Sequence, residues 1–177
     1  MMPRIENITS FGKNKMNTLS VQQFRNAMAH LPSAVSIVTS NGSAGKVGMT
    51  ISSVTSVTDS PATLLFCINQ SSDLHDIIKQ NGKVCVNVLN HQQETLAKHF
   101  AAMLESTMEE RFSWDIWKVG KSGQFALKEA ITSLHGKIID THAVGTHTIF
   151  TVQLDEIETQ PQASLIYFAR QFKSLEI

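Results

Sequence analysis

Gly48-Met49-Thr50-Ile51-Ser52-Ser53-Val54-Thr55-Ser56-Val57 carries no charge, is rich in β-branched and hydroxylated side chains, and opens on a glycine. As a strand it sets Thr50, Ser52, Val54 and Ser56 on one face and Met49, Ile51, Ser53, Thr55 and Val57 on the other. Neither face is purely apolar. Two readings fit. Ser and Thr decorate a half-exposed strand, or a flat ligand with a polar rim lies against it. Such a ligand would take small hydroxyls and backbone amides where a bulky side chain blocks the approach.

Outward from this run, the chain alternates short strands with turn signals. Residues 34–39 read as a strand, and Asn41-Gly42 as a hairpin-type turn within a Gly/Ser loop. Asp59-Ser60-Pro61 ends the central run, and the apolar residues 63–68 form a buried strand. Ser71-Ser72-Asp73 starts a helix with Leu74, Ile77 and Ile78 facing inward; Asn81-Gly82 ends it, and residues 83–89 are again a strand.

A further helix is expected over 92–102. Residues 103–125 hold both tryptophans with little periodicity and read as a surface excursion packed by its own aromatics. Strands resume at 131–141, 146–157 and 164–168. Upstream, Ser20 suits an N-cap for a helix from Val21 to about His30, with Phe24, Ala27, Met28 and Leu31 as its apolar stripe and Pro32 as its stop. Residues 1–18 lack periodicity and read as a flexible arm before a single domain over 19–177. Short strands joined by hairpins, with helices inserted, predict a mainly β chain built as an antiparallel barrel or sandwich.

Lys+Arg and Asp+Glu balance at 15 each, so there is no electrostatic footprint for nucleic acid or an anionic membrane. With neither a long apolar run nor a signal-peptide pattern, a cytoplasmic protein is expected. Cys67 and Cys85 sit in apolar strand runs and read as buried structural thiols. The Gly42–Val47 run mimics a phosphate loop but has Ser40 in place of the first glycine and Val47 in place of the magnesium-binding hydroxyl. The histidines are dispersed, and no metal site is expected.

Two features remain. Asn69-Gln70-Ser71-Ser72 leaves a buried strand for a helix start, where spare N–H groups and hydroxyls suit an anion, or where a serine is simply an N-cap. Gly145-Thr146-His147 opens an apolar strand and presents either an imidazole at a strand end or an ordinary strand-edge histidine.

Taken in order, a series of short segments resembles the flavin reductase-like family, most nearly the small reductase components of two-component 4-hydroxyphenylacetate 3-monooxygenases. The series runs Phe24-Arg25-Asn26-Ala27-Met28, Gly48-Met49-Thr50-Ile51-Ser52-Ser53, Ser56-Val57-Thr58-Asp59 and Cys67-Ile68-Asn69. It continues through Cys85-Val86-Asn87-Val88-Leu89-Asn90-His91, His99-Phe100-Ala101 and Met108-Glu109-Glu110-Arg111-Phe112. Gly145-Thr146-His147 and Leu165-Ile166-Tyr167-Phe168 close it.

The resemblance implies an antiparallel split β-barrel of Greek-key type that binds flavin, FMN or FAD, and works as a homodimer. It implies that Thr50, Ile51, Ser52, Ser53, Val54, Ser56 and Val57 line the isoalloxazine, and that Asn69, Ser71 and Ser72 hold the flavin phosphate. Phe100 and Ala101 would lie beside the cofactor, with His147 near the nicotinamide of NADH or NADPH. Phe172 stands where relatives carry Tyr or Phe against the dinucleotide, here without the hydroxyl. The implied activity is hydride transfer to flavin, with reduced flavin passing to a separate aromatic monooxygenase. Service to a pyrimidine-ring oxygenase, or a flavin-binding electron carrier without a nicotinamide site, are the alternatives.

Overall fold

The computed structural model describes residues 19–176; the expected arm over 1–18 and Ile177 lie outside the described residues. Helix α1 (Val21–Met28) begins at the expected cap. The Ser20 hydroxyl accepts from Gln23 N at 3.1 Å, and the Gln23 side chain accepts from Ser20 N at 2.9 Å, a reciprocal capping box. After β1 (Ser33–Ala34), strands β2 (Ser36–Gly42) and β3 (Gly45–Ile51) form a hairpin. Its loop is Ser43-Ala44 rather than Asn41-Gly42. Asn41 stays in the strand because its amide and carbonyl are both bonded by the Gln124 side chain, at 2.7 and 2.9 Å.

The central run is not one strand. β3 stops at Ile51, Ser52-Ser53-Val54 leave the ladder, and β4 (Thr55–Asp59) starts afresh, followed by β5 (Ala62–Asn69). Then come α2 (His75–Asn81), β6 (Lys83–Val88), α3 (Glu94–Phe100) and α4 (Met108–Ser113). The remaining elements are β7 (Trp117–Val119), β8 (Phe125–Leu127), β9 (Thr132–Val144), β10 (His147–Thr159), β11 (Ser164–Phe168) and β12 (Gln171–Leu175).

Seven strands pair antiparallel in the order β3-β2-β6-β9-β10-β5-β4, so β3 and β4, neighbours in sequence, are opposite margins of the sheet. The link between them closes it. The Ser53 hydroxyl accepts from Cys67 N at 3.0 Å and donates to Cys67 O at 3.3 Å, standing in for a ladder bond to β5. Val38, Val47 and Ile51 from one half share a core with Leu64, Phe66, Phe150 and Val152 from the other, and Ile78 of α2 plugs it. The Phe66 and Phe150 rings stack at 5.3 Å. Side chains this size contribute about 1.5–3 kcal/mol each when fully buried, so the curled sheet is held by its interior. It is an antiparallel split barrel.

A second core lies on the outer face. Val35, Ile37, Leu89 and Leu165 pack there against Ala97 and Phe100 of α3, Phe112 of α4 and Leu127 of β8. A three-stranded sheet, β1-β11-β12, flanks it. Residues 103–125 are indeed packed by aromatics, with Phe112 and Trp117 at 5.0 Å and Phe112 and Phe125 at 5.1 Å. They are nevertheless structured. Thr107 and Glu110 form a capping box that starts α4, a Thr-x-x-Glu signature legible in the sequence.

The helix expected over 92–102 is trimmed at its start, where Asn90 and Gln93 bond each other's loop. It ends in a Schellman turn: Met103 N donates to Lys98 O and Ala102 N to His99 O, with Ala102 left-handed at φ 55°. No described helix is long and apolar enough to cross a membrane.

Candidate functional site

Because Ser52-Ser53-Val54 belong to no ladder, their amides are spare. None of the three donates to a protein acceptor among the described residues. Ser52 is exposed and borders a cleft of about 170 Å³, with Thr50, Ile51, Ala101, Tyr167 and Phe172 around it. The cleft adjoins a wider groove of about 610 Å³ along α1, and both are lined by Ser52 and Tyr167. Small walls at Ser52 and Ala101, aromatic walls at Tyr167 and Phe172, and consecutive spare N–H donors suit a flat heteroaromatic ring with carbonyl oxygens and ring nitrogens on one edge.

The hydroxyls of Thr50 and Ser53 are spent elsewhere. Thr50 Oγ1 donates to Ala97 O at 2.7 Å, tying β3 to the last turn of α3. Ser53 seals the barrel, and Val54 packs against the barrel core. Ser56 and Val57 sit on β4, which is exposed along its whole length. Phe100 does not face the cleft. It is 4 % exposed, turned into the aromatic cluster against Phe112 and Trp117. Gly48 leaves it room, since a Cβ there would come within 2.8 Å of the ring. Of that pair, Ala101 alone lines the opening.

A second locus forms where β5 ends and β10 begins. Asn69 and His147 are register partners, Gln70 N donates to Thr146 O at 2.9 Å, and Gln70 Nε2 donates to the His147 carbonyl at 3.1 Å. Gly145, at φ 57°, takes the first central position of the two-residue β9–β10 loop, where a type II′ turn calls for glycine. His147 is exposed, with Nδ1 at 2.9 Å from Thr146 Oγ1.

The chain turns at Asn69–Ser72 before the helix, not as its cap. Asn69 Oδ1 accepts from the Ser71 amide and hydroxyl, Ser72 Oγ accepts from Leu74 N, and α2 is capped by Leu74 with no side-chain bond. The turn's own amides are therefore largely used. Among the described residues, the Asn69 amide nitrogen and the Ser72 hydroxyl proton remain free to donate outward. Beneath the turn, buried His75 bridges Asp76 at 2.7 Å and Thr148 Oγ1 at 2.9 Å, joining α2 to β10.

Sequence reasoning did not single out Tyr167 or Met103 as cleft residues. Tyr167 alternates outward on β11, and Met103 is aimed by the left-handed Ala102. Only the second of these lacked any signal.

A family model described as the flavin reductase like domain matches residues 28–176. The chain belongs to the flavin reductase-like family. As a family member it is a flavin oxidoreductase. It is 46 % identical over 156 residues to the 4-hydroxyphenylacetate 3-monooxygenase reductase component of Pseudomonas aeruginosa, covering 88 % of this chain and 92 % of that one. It is 39 % identical over 153 residues to the FMN reductase (NADH) RutF 1 of Methylorubrum extorquens, covering 86 % and 75 %. Among solved structures, the NADH:FAD oxidoreductase SgcE6 of Streptomyces globisporus, in complex with NAD and FAD fragments, superposes with a TM-score of 0.78. That match has 28 % identity and covers 86 % of this chain and 90 % of that one.

Proposed function

We propose that this flavin reductase-like protein takes a hydride from NADH, or NADPH, onto FMN or FAD and passes the reduced flavin to a separate aromatic monooxygenase of the 4-hydroxyphenylacetate type. The observation that carries the reading is the run of spare amides at Ser52, Ser53 and Val54 beside a cleft with small and aromatic walls. The greater identity to the 4-hydroxyphenylacetate reductase components than to RutF favours the aromatic partner.

When bound, a flavin would supply the redox chemistry as the acceptor of a hydride from the reduced nicotinamide. The chain's part is to bind and orient. The Ser52–Val54 amides would hold the polar edge of the ring, and spare donors fixed in advance stabilise developing negative charge without reorganisation. Thr50 and Ser53 act through their frame: one hydroxyl holds α3 and so Ala101, the other fixes the link itself. The Asn69 amide and the Ser72 hydroxyl receive the flavin phosphate, with Ser71 holding Asn69 in place. His147 and Phe172 flank the nicotinamide, so that two rings held in contact react by proximity.

The protein works as a homodimer. Exposed apolar residues support this: Val21 and Phe24 of α1 are 67 % and 59 % exposed, and Val57 of β4 is 52 % exposed. A partner covering β4 would bring Ser56 and Val57 into the site. The free thiols of Cys67 and Cys85 suit a reducing cytoplasm.

Oxidation of NADH and NADPH, followed by the loss of reduced-nicotinamide absorbance against FMN, FAD and riboflavin, tests the reading. Rates no higher than the flavin-only blank with every pairing would refute it. In His147→Ala, turnover falls at least tenfold while flavin affinity stays within about twofold, the split expected of a group that orients the donor alone.

A further inference from the structure

We infer that Arg111 is a positioning residue for the flavin: clasped onto Ser106, it fixes the loop over 102–106 and so sets the Met103 thioether against the edge of the ring. The inference rests on the reading above and adds two residues to it. Met103 lines the cleft beside Ala101, yet it is 61 % exposed. A methionine so exposed adds nothing to either core. At the rim of an aromatic site it has a use, because sulfur meets the edge of a flat ring favourably.

The loop is held at its two ends by different means. On the helix side the Schellman turn places Met103, whose N donates to Lys98 O at 2.9 Å after the left-handed Ala102. Beyond Met103, the amides of Leu104, Glu105 and Ser106 donate to no protein acceptor among the described residues, so neither ladder nor helix fixes the far end. Arg111 does. Its Nε donates to Ser106 Oγ and its Nη2 to Ser106 O, each at 2.7 Å. His99 Nδ1 lies 2.9 Å from the same hydroxyl and ties the loop back to α3. A left-handed alanine persists only where its surroundings hold it, and the clasp supplies the second hold.

The guanidinium is committed to this loop against its own solvation. Arg111 is 8 % exposed and joins no ion pair among the described residues. The adjoining Glu110 is turned away, its carboxylate accepting from Thr107 N at 2.6 Å. Burying a charge without an opposite charge is unfavourable unless the donors taken from water are well used. Here they are used on one residue, as a fork that a lysine could not reproduce. The base of the fork is firm: the Phe100 ring lies 5.4 Å from the guanidinium carbon, and Trp117 Nε1 donates to Arg111 O at 2.8 Å. An apolar side chain would pack there without the penalty and would leave the loop loose.

The test is a double-mutant cycle on the full chain, read as the dissociation constant for FMN in a flavin fluorescence titration. Ser106→Ala and Arg111→Met each release the clasp, and Met103→Ala removes the thioether. A sulfur–ring contact is worth roughly two- to tenfold in affinity. Each of the three variants should therefore raise the constant by about threefold or more, and Ser106→Thr should restore it. Once Met103 is alanine, adding Ser106→Ala should change the constant by less than about 1.5-fold, because the two residues act through one contact. Ser106→Ala carries the test alone if Arg111→Met fails to fold.

An unchanged constant in Ser106→Ala or in Met103→Ala overturns the inference. So does the same rise from Ser106→Ala in both backgrounds, which is what a purely structural role gives. Absence of FMN binding by the unsubstituted protein would instead overturn the flavin reading, and the inference with it, which keeps the two failures apart.

Discussion

Replacing Ser53 with alanine removes one oxygen and leaves two backbone groups of Cys67 without partners. Those bonds measure 3.0 and 3.3 Å and lie at the partly buried seam of the barrel. An ordinary intramolecular hydrogen bond contributes about 0.5–1.5 kcal/mol, and stranding a buried polar group costs about 1–3 kcal/mol. Water reaches part of the seam, so the loss should fall near the middle of those ranges, about 2 kcal/mol. Urea unfolding at fixed protein concentration reads this as a midpoint lowered by about 1 M at an unchanged slope of about 2 kcal/mol/M. Ser52→Ala is the control. Ser52 is exposed and its hydroxyl makes no bond among the described residues, so its midpoint should move by less than about 0.5 kcal/mol. Equal shifts in the two variants, or a Ser53→Ala loss below about 0.5 kcal/mol, would show that the serine does not close the sheet.

Other expectations follow from single residues. Ala102→Gly relieves the left-handed Schellman position and should add roughly 0.5–1 kcal/mol, raising Tm by about 2–4 °C in a thermal melt. Thr107→Ala removes the α4 capping box and should cost about 1 kcal/mol in the same urea assay, with Thr107→Ser restoring most of it. His135 is fully buried, with Nδ1 3.3 Å from Ser122 Oγ. Burial holds its pKa below the ordinary 6.5, against the pull of Glu156, Glu158 and Asp155. The unfolded chain therefore binds a proton first as pH falls. The stability His135 contributes is complete above about pH 6.5 and is lost as pH drops toward its lower native value. Unfolding free energies from pH 8 to 5 should fall in the parent and flatten in His135→Gln.

The period-two pattern in residues 34–39, the continuous apolar run in 63–68 and the Ser20 cap were legible because alternation, apolar runs and caps are local signals. The break at Ser52 was not. A hydroxyl that bonds a strand 14 residues away looks, in sequence, like any β-forming serine. The same limit hid Thr50, whose hydroxyl answers a helix 47 residues on. Ser71 and Ser72 have the composition of an N-cap, yet Asn69 folds the turn onto itself first and the helix starts later at His75. Phe100 was placed beside the cofactor with Ala101, but successive helical residues point apart, and one went to the core. Arg170 reaches Asn26 of α1 through a contact spanning 144 residues, a juxtaposition only the closed fold creates. The Thr107-x-x-Glu110 box is a local signal that the reading of 103–125 as an unpatterned excursion missed.

The chain passes from one margin of its main sheet to the other in three residues, and the spare amides sit on that crossing. Any molecule seated there acts as a clasp across the slit of the barrel, so occupancy and resistance to heat should rise together. The crossing is also the worst place to relocate the termini. A circular permutant opened there would lose closure and recognition together, whereas one opened in the Ser43-Ala44 loop would keep both.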